Sequence, residues 1–308
     1  MITNFTQLVD KVKTVTPQTI AVVAAEDHAT LGAIHRAIST GFAKAILFGN
    51  QLIIESLLAH YEIPDHSYTI IHQPNEQIAV SEAVTMVNQG KADILMKGII
   101  GTDIFLKAVL DKTSGLLNQG EVMTYVAAMQ IPTYHKLLFI SDTAVIPYPD
   151  LNQKVAMLKY SVEMAKRFGI SKPKVAFIGA SEKAGNQSQT AIDASIISKM
   201  AQRGQLGEVI VDGPLDIFLA TQPESLSIKR INTPIEGDAD ILIFPSLESC
   251  NAFYKGLVRF AGAELAGLIQ GTRKPVVLMS RSESENSKFY CLALACLMSN
   301  KNLYYNEQ

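Results

Sequence analysis

The sequence is poor in several features that would mark other protein classes. Cysteine occurs three times, at Cys250, Cys291 and Cys296, an odd count without CxxC spacing that favours neither a disulfide framework nor a zinc knuckle. Reduced thiols of this kind are typical of a cytoplasmic protein. Charged residues form 18% of the chain, the formal net charge is -2, and there is no basic run. We therefore expect neither nucleic acid nor an anionic membrane as the main partner, because both need a concentrated positive field.

Long apolar runs are also missing. No run approaches the roughly 20 apolar residues that a membrane-spanning helix requires. The N-terminal residues MITNFTQLVDKVK lack a basic segment followed by a long apolar one. We therefore expect no signal peptide, no membrane association and a cytoplasmic location.

Several familiar site motifs are absent from the sequence. The histidines form no HExxH motif and no close pair suited to zinc. There is no GxxxxGK[ST] phosphate loop, no GxGxxG after the first predicted strand, and no GxSxG elbow. Cys250 lies near a predicted strand end, but no base can be assigned to it, so a buried small hydrophobe is favoured over a nucleophile.

The chain does contain a regular alternation of short apolar strands and helices. Its 308 residues fit two domains of about 150 residues each. GKADILMKG at 90–98 and GDADILIFP at 237–245 echo each other, each before a loop and a helix. The echo favours two similar α/β halves facing a cleft, although ADIL is also a common sequence for a buried strand. We predict a first domain at 1–148, rejoined by 270–308, and a second at 149–269, with the boundary in PYPDLN.

The segment GTRKPVVLMSRSESENSK has the pattern of a strand, an abrupt polar turn and a helix. The strand is predicted at 275–279, and Ser282 with Glu285 has capping-box spacing. Ser280 and Arg281 therefore lie between a strand end and a helix N-terminus, where α/β proteins bind anions. An ordinary βα loop with surface polar residues is the alternative interpretation.

Polar side chains recur directly after the other predicted strands. If the sheets are parallel, these side chains gather at one edge, although each alone is more often a solvated loop residue. Cations and hydroxyls without a metal-ligand cluster suit an anionic substrate. The candidates for binding phosphate or a phosphorylated ligand are Lys97, Thr102 (also a predicted N-cap), Lys107, Asn251 and Lys255. Further polar residues in equivalent positions are Ser181, Glu182, Lys183, Asn186, Asp212, Ser246, Glu248 and Ser249.

The order of several segments between about residue 20 and residue 298 resembles the phosphate acetyltransferase and phosphate butyryltransferase family, most closely its butyryltransferase branch. The segments that carry the resemblance are ADILMKG, LLFISDTAVIPYPDL, TAIDASIISKMAQRGQL, VDGPL, GDADILIFPSLESCNAFYKGLVRFAGAELAGLIQG and PVVLMSR.

The resemblance implies a reversible transfer of a short acyl group, butyryl or similar, between coenzyme A and inorganic phosphate through a ternary complex. Coenzyme A would be a substrate, with no permanently bound cofactor and no metal. It also implies a homodimer or larger homo-oligomer. The implied fold has two α/β domains with mainly parallel sheets facing a central cleft, as in isocitrate and isopropylmalate dehydrogenases. Ser280 and Arg281 would lie in the active site, and Lys107 stands where the acetyl branch has arginine.

Three positions depart from the family pattern. Ser287 stands where the acetyl branch has an aspartate base, which leaves Glu283 and Glu285 as nearby candidates. Cys250 replaces a glycine and could narrow the acyl or coenzyme A pocket. Phe218 replaces an aspartate.

Three alternatives to a butyryl transferase stay open at this point. One is a phosphate acetyltransferase that acts on acetyl-CoA. Another is a β-decarboxylating dehydrogenase, which needs an aspartate cluster for a divalent metal and a nicotinamide site, and we find no such cluster in the sequence. A third is a non-catalytic protein that binds coenzyme A or an acyl phosphate.

Overall fold

The computed structural model of the chain describes residues 1–61, 67–280 and 283–300. Contacts between residues divide the chain into two compact units. The first unit contains Phe5–Met123 and the described residues from Leu265 onward, and the second contains Met1–Asn4 and Thr124–Glu264. No helix among the described residues is long and apolar enough to cross a membrane.

Helices and strands alternate along most of the described chain. In order, they are α1 (Phe5–Val12), β1 (Gln18–Val23), α2 (His28–Thr40), β2 (Ala43–Gly49), α3 (Gln51–Leu58), β3 (Tyr68–His72), α4 (Glu76–Asn88), β4 (Ile94–Lys97), α5 (Thr102–Val109), β5 (Thr124–Gln130), β6 (Leu138–Ser141), α6 (Leu151–Arg167), β7 (Lys174–Ile178), α7 (Gln189–Gln202), β8 (Ile210–Leu215), α8 (Ile217–Thr221), α9 (Pro223–Lys229), β9 (Ile241–Ile243), α10 (Leu247–Ala261), β10 (Glu264–Gln270), β11 (Val276–Val277) and α11 (Glu285–Ser299).

The first unit is built on strands in the order β3-β2-β1-β4-β11-β10. All neighbours pair in parallel except β10 and β11, which pair antiparallel. Val23 of β1 pairs with Lys97 of β4, and Val277 of β11 pairs with Met96. The carboxyl ends of β1, β4 and β11 therefore meet at one edge. Helices α2, α4 and α11 pack against these strands, which explains why β4 is buried along its whole length.

The second unit is built on strands in the order β5-β6-β9-β7-β8. Only β5 and β6 pair antiparallel. Ile243 of β9 is the register partner of both Ser141 in β6 and Phe177 in β7. The loops that follow β6, β7 and β9 therefore leave the sheet at the same edge. The predicted α/β class with mainly parallel sheets is thus confirmed in both units.

The observed division lies earlier in the chain than the predicted boundaries at 148 and 269. Strand β6 belongs with the second unit because Phe139 pairs in parallel with Ile241 of β9. Strand β10 belongs largely with the first unit because Ile269 pairs with Val276 of β11. The PYPDLN segment leads into α6 inside the second unit.

Candidate active site

A buried lysine and an exposed serine lie at the carboxyl edge of the first-unit strands. Lys97 is the last residue of β4, its side chain is 2% exposed, and its Nζ donates to the Gly98 carbonyl oxygen at 3.2 Å. Gly98 lies against the end of β1, where its N–H donates to the Val23 carbonyl oxygen at 2.8 Å. A Cβ at Gly98 would collide with the Ala24 carbonyl oxygen, so this close approach requires glycine. Ser280 is exposed and follows the end of β11 by three residues.

Ser280 is joined by a backbone hydrogen bond to Glu283, two residues before the start of helix α11. The Glu283 N–H donates to the Ser280 carbonyl oxygen at 3.2 Å. Ser284, with extended backbone, is the N-cap, and its Oγ accepts from the Ser287 N–H at 3.0 Å. Ser280 therefore lies one tight turn before a helix N-terminus, as predicted from the sequence.

The capping arrangement differs from the predicted one. Glu285 is the first helical residue and not the third, so the pair that closes the helix is Ser284 with Ser287. The Glu285 carboxylate lies in the first turn, where the positive end of the helix dipole stabilises a negative charge. Ser282, the predicted cap, and Arg281, the predicted catalytic cation, lie outside the described residues.

The two candidate carboxylates after Ser280 are placed differently. The Glu285 carboxylate lies against Gly32 of α2. Burial, the charge of Glu285 and the charge of Asp27 raise the pKa of the Tyr61 phenol, in that order of importance. Glu285 is thus turned toward α2 and Tyr61. Glu283 is half-buried in the turn that follows Ser280.

Thr102 and Lys107 lie on helix α5, which follows β4. The helix begins at Thr102, and its N-cap is Gly101 without a side-chain hydrogen bond, so the prediction that Thr102 caps the helix is wrong. Lys107 lines a groove of about 470 Å³ between α4 and α5. Asp103 and Asp111 line the same groove, and their negative charges offset the attraction of Lys107 for an anion.

The second unit contains a cavity of about 780 Å³ at the carboxyl end of β7. Its apolar walls include Ile178, Pro214 and Phe244. Its polar lining includes Lys183 and the start of α7, whose N-cap Ser188 accepts from the Ala191 N–H at 3.2 Å. A cation and a helix N-terminus beside apolar walls suit a ligand with both phosphate and apolar parts. Ser181, Lys183 and Ser249, which the sequence placed after strands, all line this cavity.

The sequence did not single out Asp142, which organises the loop after β6. Its side chain is 1% exposed, and burial raises its pKa although the hydrogen bonds it accepts act in the opposite direction. The donors are Thr124 Oγ1 at 2.7 Å and the backbone N–H groups of Tyr125 at 3.0 Å, Ala144 at 2.7 Å, Val145 at 3.0 Å and Ile146 at 3.3 Å. The sequence feature that could have indicated this residue is its position directly after the apolar run that forms β6.

Asn251 and Lys255 lie on α10, which follows β9. Asn251 Nδ2 donates to the Thr143 carbonyl oxygen at 2.9 Å, so this amide ties α10 to the Asp142 loop. Lys255 is exposed one turn later, with its Nζ 6.0 Å from the centroid of the Tyr254 ring. Neighbouring Cys250 is fully buried, and burial raises the pKa of its thiol, which disfavours a nucleophilic role.

Comparisons with known proteins add the family context to this geometry. The chain matches the family described as "Phosphate acetyl/butaryl transferase" over residues 66–296. It is 36% identical over 299 residues to a phosphate butyryltransferase of Clostridium acetobutylicum, covering 97% of this chain and 99% of that protein. It is 39% identical over 284 residues to a phosphate acetyltransferase of Thermotoga maritima, covering 91% and 95% respectively. A branched-chain phosphotransacylase from Enterococcus faecalis V583 matches with a TM-score of 0.80 and 30% identity, covering 92% of this chain and 99% of that structure.

Proposed function

The chain belongs to the phosphate acetyl/butyryl transferase family, and on this premise we propose that it transfers a short acyl group, butyryl or similar, between coenzyme A and inorganic phosphate. Acyl-CoA and phosphate would give an acyl phosphate and free coenzyme A, reversibly and through a ternary complex. Coenzyme A is then a substrate, and no permanently bound cofactor is needed. A homodimer or larger homo-oligomer in the cytoplasm is part of the same proposal.

The observation that carries the proposal in the first unit is the position of Ser280. It offers a hydroxyl one turn before the N-terminus of α11, at the strand edge that also holds the buried cation Lys97. Hydroxyl and amide donors of this kind stabilise an oxyanion, and a cation offsets the charge of a phosphate. Arg281 stays a predicted second cation at this place.

The chemistry is simplest in the direction that forms acyl-CoA. The thiolate of coenzyme A attacks the carbonyl carbon of the acyl phosphate, and the carbonyl oxygen becomes an oxyanion that accepts a hydrogen bond from Ser280. As the carbonyl re-forms, the carbon–oxygen bond to phosphate breaks and the phosphate leaves as an anion beside Lys97. The thiol has an ordinary pKa of about 8.5, so only modest assistance is needed to remove its proton. Because Glu285 is turned toward α2, Glu283 is the candidate base that we retain.

The second-unit cavity supports binding of part of coenzyme A. Its volume of about 780 Å³ lies within the range of small-molecule sites. Lys183 and the N-terminus of α7 would meet the phosphates, while Ile178 and Phe244 would meet an apolar part of the same ligand. Asn251 and Lys255 on α10, and Thr102 and Lys107 on α5, stay predicted contacts to phosphate or coenzyme A.

A thiol-release assay tests the proposed reaction. We expect the purified protein to release coenzyme A from butyryl-CoA only when phosphate is present, and more slowly from acetyl-CoA. A faster rate with acetyl-CoA would instead favour the acetyl branch. Turnover that requires a nicotinamide cofactor, or tight binding of butyryl-CoA without turnover, would contradict the proposal.

A further inference from the structure

Lys288 is a buried cation in the first turn of α11. The residue is 3% exposed, and its Nζ donates to Asp27 Oδ1 and to Thr30 Oγ1, both at 3.2 Å. Thr30 is fully buried. An ammonium group is costly to bury unless it is paired and hydrogen-bonded, so this contact fixes where the side chain can lie.

The contact joins two elements that both begin at the carboxyl edge of the first-unit strands. Asp27 follows β1 and is the N-cap of α2, where its Oδ1 accepts from the Thr30 N–H at 2.8 Å. Lys288 belongs to the turn that is capped by Ser284, and its N–H donates to the Ser284 carbonyl oxygen at 3.1 Å. The ion pair therefore ties the start of α11 to the start of α2.

A second contact between the same helices supports the first. Arg36 of α2 donates from Nη1 to Asn286 Oδ1 at 2.6 Å, and its guanidinium carbon lies 3.9 Å from the centroid of the Phe289 ring. The first turn of α11 is thus held at Lys288 by an ion pair whose lysine is buried and whose aspartate is partly exposed, and at Asn286 by Arg36.

The position of Ser280 depends on this anchored turn. Strand β11 contains only Val276 and Val277, so ladder pairing ends three residues before Ser280. On the other side, Ser280 is linked through the Glu283 N–H to the residues that begin α11. Because the Glu283 N–H holds the Ser280 carbonyl oxygen, a shift of this helix start would displace Ser280 as well.

We propose that Lys288, through Asp27 and Thr30, is a positioning residue that holds the Ser280 turn in place for acyl transfer. The inference rests on the proposed function for its kinetic consequence. A displacement of about 1 Å in a reacting group can cost about 100-fold in rate. Loss of the anchor is therefore expected to lower kcat more than it weakens substrate binding.

Two variants remove the ion pair in different ways. Lys288→Met keeps most of the side-chain length and removes the charge. Asp27→Asn removes the opposite charge but keeps an N-cap on α2, because asparagine caps as well as aspartate. Lys136→Met is the matched control, because Lys136 pairs with Asp240 at 2.7 Å and with Asp238 at 2.8 Å in the second unit and does not line the cavity at the carboxyl end of β7. If Lys288→Met does not fold, Asp27→Asn tests the same contact.

The readouts are kcat and KM in the thiol-release assay and amide hydrogen exchange of a peptide spanning 283–290. We expect each anchor variant to lower kcat by about 10- to 100-fold, with KM for butyryl-CoA changed by less than about twofold. The rate of amide hydrogen exchange in 283–290 should rise at least about tenfold. The kcat of the double variant should be no lower than that of the slower single variant, because both substitutions remove the same contact. The control should keep the wild-type kcat.

The inference is overturned if a folded anchor variant keeps wild-type kcat and wild-type exchange in 283–290. It is equally overturned if the fold-decrease in kcat of the double variant equals the product of the fold-decreases of the two single variants. Absence of turnover in the wild-type protein would contradict the proposed function, and the exchange readout would still decide whether the anchor holds the turn.

Discussion

Asp142 accepts hydrogen bonds through both of its carboxylate oxygens, and no other side chain could replace both acceptors with the same shape. Oδ1 accepts from Ala144 and Val145, and Oδ2 accepts from Thr124, Tyr125 and Ile146. In Asp142→Asn, an amide NH₂ group replaces one of the two carboxylate oxygens and faces N–H or O–H donors that then lose their acceptor. We expect this variant to lower the free energy of unfolding by about 2–4 kcal/mol.

Denaturant unfolding measures this loss. Asp10→Asn is the control, because the Asp10 side chain is 63% exposed and pairs only with Lys13 at 3.4 Å among the contacts the structure describes. The control should change the free energy of unfolding by no more than about 0.5 kcal/mol. Equal stability of the Asp142→Asn and wild-type proteins would show that the loop after β6 does not depend on this carboxylate.

Individual residues could be predicted from the sequence only where local spacing decides their place. Ser280 ends an apolar run and precedes a helical pattern, so its position before α11 followed from the sequence. Two of the five donors to Asp142 lie in β5, 18 and 17 residues earlier in the chain, and no local sequence pattern predicts that they meet this carboxylate. The sequence spacing predicts Ser282 as the cap of α11, but two serines with similar spacing compete, and only the backbone geometry selects Ser284.

Helix α7 presents its N-terminus to the second-unit cavity, together with Lys183 from the preceding loop. If this end of the cavity holds the phosphates of coenzyme A, removal of the lysine charge should weaken binding without altering the reacting groups. We expect Lys183→Met to raise KM for butyryl-CoA about tenfold and to leave kcat little changed.

Initial-rate measurements over a range of butyryl-CoA concentrations test this expectation. Lys199→Met is the control, because Lys199 lies in the last turn of the same helix, where its Nζ contacts Gln202 Oε1 at 3.1 Å. The control should keep both constants. A fall in kcat with unchanged KM in Lys183→Met would place the lysine in the reaction and not in coenzyme A binding.

Most elements could be predicted because apolar periodicity and stop signals agreed. Helix α2, for example, spans His28–Thr40 and ends at Gly41, a stop signal visible in the sequence, whose φ of 93° favours glycine. The sequence does not predict β10, because small residues such as Ala266 and Gly267 weaken its strand signal. Nor does it predict the short helices α8 and α9, which have five and seven residues. The strand predicted at 275–279 is reduced to β11, because pairing depends on neighbours that the sequence does not reveal.

At the scale of the whole chain, the family and the fold class could be predicted from the sequence, whereas the predicted domain boundaries at 148 and 269 stay predictions. The ordered segments spread over nearly the full length, and the family match over residues 66–296 confirms that assignment. The partition depends on which strands pair, as with β6 and β9, and PYPDLN carries only local turn signals. The arrangement of the two units around a cleft and the oligomeric state stay predictions.

The most direct test of the whole account compares the wild-type protein with Ser280→Ala in the thiol-release assay, with and without phosphate. Ser280 is exposed, so the variant should fold normally and unfold at the wild-type temperature. We expect the wild-type protein to turn over only when phosphate is present. Loss of one oxyanion donor in Ser280→Ala is expected to lower kcat by about 100- to 1,000-fold. Wild-type kcat in Ser280→Ala would contradict the placement of the reaction at the carboxyl edge of β11.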